Sequence, residues 1–271
     1  MIYYSDHYLI NQNYSNLLKI ETHQFFICFN IVKNEAISIS QAPFGGIIKK
    51  AAYSNVDLSE FIKNMKGQLR ANGAENISII QPPAYYGQFV PTSQILKHNF
   101  KPYMEEVNQY IDLSHLETHT MEKRILAKKT PLYIELTDDF EKAHDFIAKC
   151  RQEQGLTINI TKEKLLNLVS STDGKYKLYI ATYKKKWAAV VITVDATEDI
   201  RYYYLPATIQ SMKPLHPMVY LLDKIYHDAQ NEDLKYIDLG KSSIKGVIQS
   251  GLHTFKKRMG ASESAVTALR A

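Results

Sequence analysis

The residues best suited to chemistry are concentrated in Lys235–Ala261, KYIDLGKSSIKGVIQSGLHTFKKRMGA. Tyr236, Ile237 and Leu239 read as a buried strand that stops at Gly240, followed by a polar loop, Lys241-Ser242-Ser243. Apolar residues then recur at Ile244, Val247, Ile248, Leu252, Phe255 and Met259, a spacing that predicts one helix ended by Gly260. A strand, a glycine, small hydroxyls and a helix start can hold an anion or a polar ligand through main-chain N–H groups. The same pattern also serves as an ordinary βα connection in which Ser242 and Ser243 cap the helix. Lys256 lies one helical turn beyond Leu252, which places it at the border of the apolar face, where a snorkelling lysine would also sit. Asp238 alternates away from Ile237 and Leu239 and faces the other side of its strand. His216 precedes a predicted helix, as a base or as a cap. Arg151 closes another, where a cation favours the helix dipole or holds a carboxylate or phosphate.

These residues need a scaffold, and the chain supplies two similar ones. Strands are expected at residues 2–10, 17–32 and 36–40, then an irregular loop, Gln41-Ala42-Pro43-Phe44-Gly45-Gly46-Ile47. An amphipathic helix follows at 57–72, a short strand at 76–80, a loop at 81–87, a short helix at 92–98 and a strand at 107–113. The order then restarts. A charged helix is predicted at 120–129 and a strand at 132–136, then helices at 138–154 and 162–170. Strands at 176–183, 187–195 and 200–205 precede a helix at 217–230, the opening stretch and a last strand at 264–269. A repeat of this length is a duplicated domain. The boundary is expected near 115–131, giving domains 1–120 and 121–271.

With 271 residues, 45% hydrophobic and 23% charged, the chain has enough apolar material for two cores. The net charge of +5 is far weaker than the basic stripe of a dedicated nucleic-acid binder and argues against DNA as a partner. Cys28 and Cys150 read as packed thiols without metal-ligand spacing, and no metal site is expected. A basic leader and a long apolar run are both missing, which implies a cytoplasmic protein with no integral membrane contact.

The second half follows the order β-α-α-β-β-β-α-β-α-β, which is that of the GNAT N-acyltransferase fold. Ile237-Asp238-Leu239-Gly240-Lys241-Ser242 with Leu252-His253-Thr254-Phe255-Lys256-Lys257-Arg258-Met259-Gly260 resembles the "DFG-S … FK–FG" ending of FemABX-like tandem GNAT proteins. That family includes aminoacyl-tRNA-dependent peptidoglycan ligases. Ala42-Pro43-Phe44-Gly45-Gly46 is similar to a "PFGG" element of a tandem-GNAT subgroup. The resemblance implies an α+β, mixed-sheet fold of two tandem GNAT domains and transfer of an acyl or aminoacyl group to an amine. Acyl-CoA would be the cosubstrate or aminoacyl-tRNA the alternative donor, with no permanently bound cofactor. The acceptor would be a small-molecule or peptidoglycan-precursor amine.

On this resemblance the catalytic candidates are Lys256, which stabilises charge or binds donor phosphate, Tyr203, which lines the acyl pocket, and Asp238, which serves as a base for the amine or only makes a structural hydrogen bond near the loop. Arg151, Lys241, Ser242, His216, Phe44, Gly45 and Gly46 hold donor or acceptor. Ala42–Gly46 and Pro82–Gly87 line an acceptor pocket between the halves or serve only as loops. Splayed middle strands would offer N–H groups to the acyl carbonyl. One departure counts against acyl-CoA. The stretch 207–217 has no glycine, whereas acyl-CoA GNAT enzymes carry a Gln/Arg-x-x-Gly-x-Gly/Ala pyrophosphate loop there. The rival reading is a catalytically degenerate tandem-GNAT pair that binds a ligand or partner.

Overall fold

A computed structural model describes residues 1–12, 14–39, 41–115 and 120–271. In chain order these form α1 (Asp6–Asn11), β1 (Leu17–Glu21), β2 (Phe25–Val32), β3 (Glu35–Ser38), β4 (Ile48–Lys49), α2 (Asn55–Ala71), β5 (Asn76–Gln81), α3 (Thr92–Ile95), β6 (Lys101–Asp112) and α4 (Thr120–Leu126). They continue as β7 (Tyr133–Thr137), α5 (Phe140–Gln152), α6 (Lys162–Ser171), β8 (Tyr176–Tyr183), β9 (Lys186–Asp195), β10 (Ile200–Thr208), α7 (Pro217–Asn231), β11 (Tyr236–Lys241), β12 (Ser243–Ile244), β13 (Val247–Ile248), α8 (Ser250–Arg258) and β14 (Ser262–Arg270). No helix among the described residues is long and apolar enough to cross a membrane.

The chain divides into two compact units built from non-contiguous segments, where the sequence suggested one boundary after residue 120. The N-unit comprises Gln12–Asn108, Lys241–Gln249 and Glu263–Ala271; the C-unit comprises Met1–Asn11, Gln109–Gly240 and Ser250–Ser262. Of the expected boundary segment, residues 116–119 lie outside the described residues, as does Ser40 at the end of the strand expected at 36–40.

In the N-unit the strands order as β1-β2-β3-β5-β14, with β4 beside β2. β14 closes this sheet antiparallel to β5, from Thr267↔Gln81 to Arg270↔Ser78. Helix α2 is set by a capping box between Ser54 and Asp57. It buries Leu58, Phe61, Ile62, Met65 and Leu69 against Phe25, Ile27, Phe29, Ile77 and Ile79. In the C-unit the order is β11-β10-β9-β8-β7. Helix α7, with Pro217 at its first turn, buries Val219, Leu221, Leu222 and Ile225 beside Tyr179, Val191, Ile237 and Met259.

Two expected elements change type. Residues 2–10 form a 3₁₀ turn and α1 in place of a strand, because Ser5 Oγ accepts from the Tyr8 amide and donates to the Ile2 carbonyl. This segment is part of the C-unit: Ile2 N–H bonds Ala196 O at 2.9 Å. The helix expected from Ile244 starts only at Ser250. Before it, Ser243–Ile248 makes a hairpin turning at Lys245 and Gly246, both with positive φ (51° and 77°). Ile244, Val247 and Ile248 are therefore exposed, and only the later part of the 3.6-residue pattern faces the core.

Candidate active site

Gly240 is the point on which the polar groups of Lys235–Ala261 converge in space. Its φ of +74° turns the end of β11 out of the sheet, and a Cβ here would stand 3.3 Å from Tyr202 Oη. The turn sends the Gly240 amide back to Asp238 Oδ1 (2.8 Å) and its carbonyl towards Lys256 Nζ (2.8 Å). An acid two residues before the glycine and a lysine sixteen residues after it thus hold the same residue, one at its N–H and the other at its carbonyl. Asp238 is fully buried and Lys256 is only 3% exposed. Burial pulls the Lys256 ammonium down from the ordinary 10.5 to about 8, with Asp238 pulling the other way.

Sheet geometry opens the site beside this pair. β10 pairs parallel with β11 only from Ile200↔Tyr236 to Tyr202↔Asp238, yet runs on to Thr208. Its antiparallel register with β9 shifts between Tyr203 and Leu205, a bulge that bends β10 at the same place. Ile209 N–H bonds Ala188 O on the β9 side. By antiparallel alternation, Pro206 and Thr208 then turn their main-chain groups to the open edge. The splayed edge expected from the sequence is present, but Pro206 brings a carbonyl there and no N–H.

A cavity of about 480 Å³ occupies one side of the opening. Its wall includes Tyr203 and Pro206 from β10, His216 and Met218 at the head of α7, and Leu252, Phe255 and Lys256 from α8. Tyr203 donates to Met218 Sδ at 3.2 Å, and burial pushes its phenol well up, so it remains a neutral donor. His216 sits in the left-handed region (φ 53°) immediately before α7 and makes no side-chain cap; its ring lines the cavity. The 3₁₀ turn Gln210–Leu215 and Pro217 replace a glycine loop ahead of α7, leaving few amides that could cradle a pyrophosphate.

The other face of β10 carries Tyr202 and Tyr204, in tilted ring contact at 6.2 Å. Tyr176 meets Tyr204 edge-on and Tyr3 meets Tyr202 likewise. Asp238 shares this face, being the register partner of Tyr202. Arg151, in the last turn of α5, lies close enough to hold down the Tyr204 phenol, which burial otherwise raises and which settles at about 12. Arg151 Nε is shielded from solvent and has no hydrogen-bond partner within the described residues.

The structure therefore brings Lys256, Tyr203 and His216 to one cavity, with Asp238 holding the N–H of the residue whose carbonyl Lys256 holds, and Arg151 on the opposite face of β10. The remaining expected residues lie in the N-unit. Ser242 is buried, its amide bonded to Val107 O and its carbonyl to the Gln249 amide, while Lys241 is exposed. Ser243 donates to the Glu106 carboxylate and so does not cap α8. Phe44 packs edge-on against Tyr86, and added Cβ atoms at Gly45 and Gly46 would meet Ser38 O at 2.8 Å and Gln81 Oε1 at 2.6 Å. The Phe-Gly-Gly element has these residues because the interior there is tightly packed. Pro206 is not among the expected site residues: the predicted strand ends at Leu205, whereas β10 runs on through Pro206 to Thr208.

Among the described residues no cluster of His, Cys, Asp and Glu could hold a metal ion. No family model matches the chain, and no curated protein matches it. Solved structures do resemble it. FemX superposes with a TM-score of 0.70 at 12% identity, covering 98% of this chain and 90% of that one. The C-terminal domain of a candidate lysylphosphatidylglycerol synthetase from Agrobacterium fabrum gives 0.67 at 11%, covering 96% and 86%. A tandem GNAT protein from the clavulanic acid biosynthesis pathway gives 0.53 at 7%, covering 92% and 78%. At these identities the likeness establishes the fold, a FemX-like tandem GNAT of mixed α and β structure.

Proposed function

We propose that the C-unit catalyses N-acyl or N-aminoacyl transfer to an amine acceptor. The observation that carries this reading is the buried ammonium of Lys256, fixed on the Gly240 carbonyl at the wall of the cavity where β10 and β11 part. An activated acyl donor lying in the cavity would bring its carbonyl near this cation. Attack by the acceptor nitrogen forms the C–N bond and places negative charge on the carbonyl oxygen. Lys256 is the group that stabilises it where Pro206 has removed a backbone donor. Collapse breaks the donor's C–S or C–O bond, and the leaving thiolate or ribose oxygen ends with the proton that the amine gives up, passed on through Asp238 and solvent. Asp238, on the face of Tyr202 and Tyr204, is the carboxylate placed to accept the amine's proton. Arg151 suits an anionic group on the acceptor, and the rings flank its amine. Positioning supplies much of the rate, since the donor is already activated.

The chemistry around α7 favours aminoacyl-tRNA over acyl-CoA, because a pyrophosphate loop is replaced by the Gln210–Leu215 turn and Pro217. FemX and the lysylphosphatidylglycerol synthetase domain share this fold; the aminoacyl donor itself comes from the FemABX-like resemblance of the motifs. The same loop supports a second reading, a degenerate pair that binds a ligand without chemistry. Thermal-shift titrations with acetyl-CoA, CoA, longer acyl-CoAs and aminoacyl-tRNA separate the three. Stabilisation by one donor, lost in Lys256→Met together with product formation, supports transfer. Stabilisation by no donor favours the binding role.

A further inference from the structure

The hairpin Ser243–Ile248 is absorbed by neither the cavity nor the core. Two main-chain features and one carboxylate hold it in a single shape. Its two-residue turn, Lys245-Gly246, has positive φ at both positions, the geometry whose twist matches a short hairpin. Ser242 N–H bonds Val107 O at 2.7 Å, and Gln249 N–H bonds Ser242 O at 2.8 Å. Glu106 on β6 accepts from Ser243 Oγ and from the amides of Lys245 (2.8 Å) and Gly246 (3.2 Å), so the turn is pinned. The side chains left facing outward are aliphatic. Ile244 is 62% exposed, Val247 65% and Ile248 48%. Ile244 and Val247 are cross-strand partners, so their side chains form one patch.

We propose that this hairpin is a lipid-contact element that seats the cross-strand pair Ile244 and Val247 in the interfacial region of an anionic bilayer. The segment 241–249 contains no acid and two lysines, Lys241 and Lys245, which complement anionic headgroups beside an apolar patch. Of the adjacent acids Glu105 and Glu106 on β6, Glu106 is engaged by the hairpin itself, and Glu105 is exposed. A protein partner is the poorer fit. Two side chains offer far less than the roughly 800 Å² per partner of a stable protein interface. Peripheral membrane contact needs only a few aliphatic groups with flanking cations, and a hairpin that is already ordered loses little entropy on docking.

Flotation of the full chain with phosphatidylcholine–phosphatidylglycerol vesicles, against phosphatidylcholine alone, tests this directly. Binding should require phosphatidylglycerol and weaken with salt. It should fall roughly tenfold in the double variant Ile244→Ser/Val247→Ser and also drop in Lys245→Glu, both keeping wild-type circular dichroism. Lys256→Met should float like the wild type, which separates this element from the transfer reading. Absence of binding to anionic vesicles, or equal binding by the double variant, overturns the proposal. So does a loss of oligomeric mass by light scattering in the double variant, which would make the patch a protein interface.

Discussion

Lys256 illustrates how a single buried charge can be read twice, as chemistry and as stability. Its ammonium sits near 8 in the folded protein and at 10.5 when exposed. Below pH 8 folded and unfolded chains both hold the proton, and the folded chain bears the cost of burying it. Between pH 8 and 10.5 only the unfolded chain binds it, so stability rises with pH across that window. Urea denaturation should show this rise in the wild type and its absence in Lys256→Met. If the protonated form stabilises the oxyanion, the transfer rate should decline above pH 8, and Lys256→Met should lower it by at least about a hundredfold. Gly240→Ala tests the grip itself. The new Cβ meets Tyr202 at a backbone angle that costs an L residue about 1–2 kcal/mol, so the midpoint of denaturation should fall accordingly. Of these residues, Asp238, Gly240 and Lys256 were legible in the sequence as a motif. That Asp238 and Lys256 meet at the backbone of Gly240 was not, because the contact spans a hairpin and a helix turn whose geometry the local pattern does not encode.

At the scale of elements, the close packing beneath β3 and β5 accounts for Phe44-Gly45-Gly46. Gly46→Ala should cost about 1–3 kcal/mol in denaturation while leaving the affinity for any donor unchanged, as overpacking of an interior predicts. A parallel case lies in the C-unit, where the fully buried Arg201 bonds Asp195 at 2.7 Å, Glu232 at 2.7 Å and Tyr179 at 3.2 Å. Arg201→Met should destabilise by on the order of 3 kcal/mol, since it leaves carboxylates facing each other without their cation. Thermal denaturation distinguishes both from a catalytic defect. The strands β3, β5 and β7–β11 and the helices α2, α5, α6 and α7 were predictable from period and caps, whereas 17–32 read as one strand but forms two, β4 was not expected, and 244–248 carried a helical period that the chain does not use. Lys245-Gly246 and the distant Glu106 outweigh that period, one by turn geometry and the other by three hydrogen bonds.

For the whole molecule, the ends of the chain complete the unit built from the opposite half. Residues 1–11 pack in the C-unit through Ile2, Tyr3 and Tyr8, and β14 finishes the N-unit sheet on β5. Deleting Glu263–Ala271 should therefore expose the 12–108 segment to protease first, by leaving β5 with a bare edge. Deleting residues 1–11 should instead loosen the 109–240 segment. Mass spectrometry of the first proteolytic fragments reads both outcomes.

By itself the sequence determined the tandem GNAT-like order, the elements that carry it and the short motif around Gly240, because periodicity, caps and turn residues act within a few positions. Tertiary structure decided the rest. It turned the Gly240 carbonyl onto Lys256, ended the β10–β11 ladder at Tyr202, put a proline on the open edge and pinned the hairpin to Glu106. Each of these joins groups far apart in the chain, and the energy of burying or pairing them exists only once the chain has brought them together.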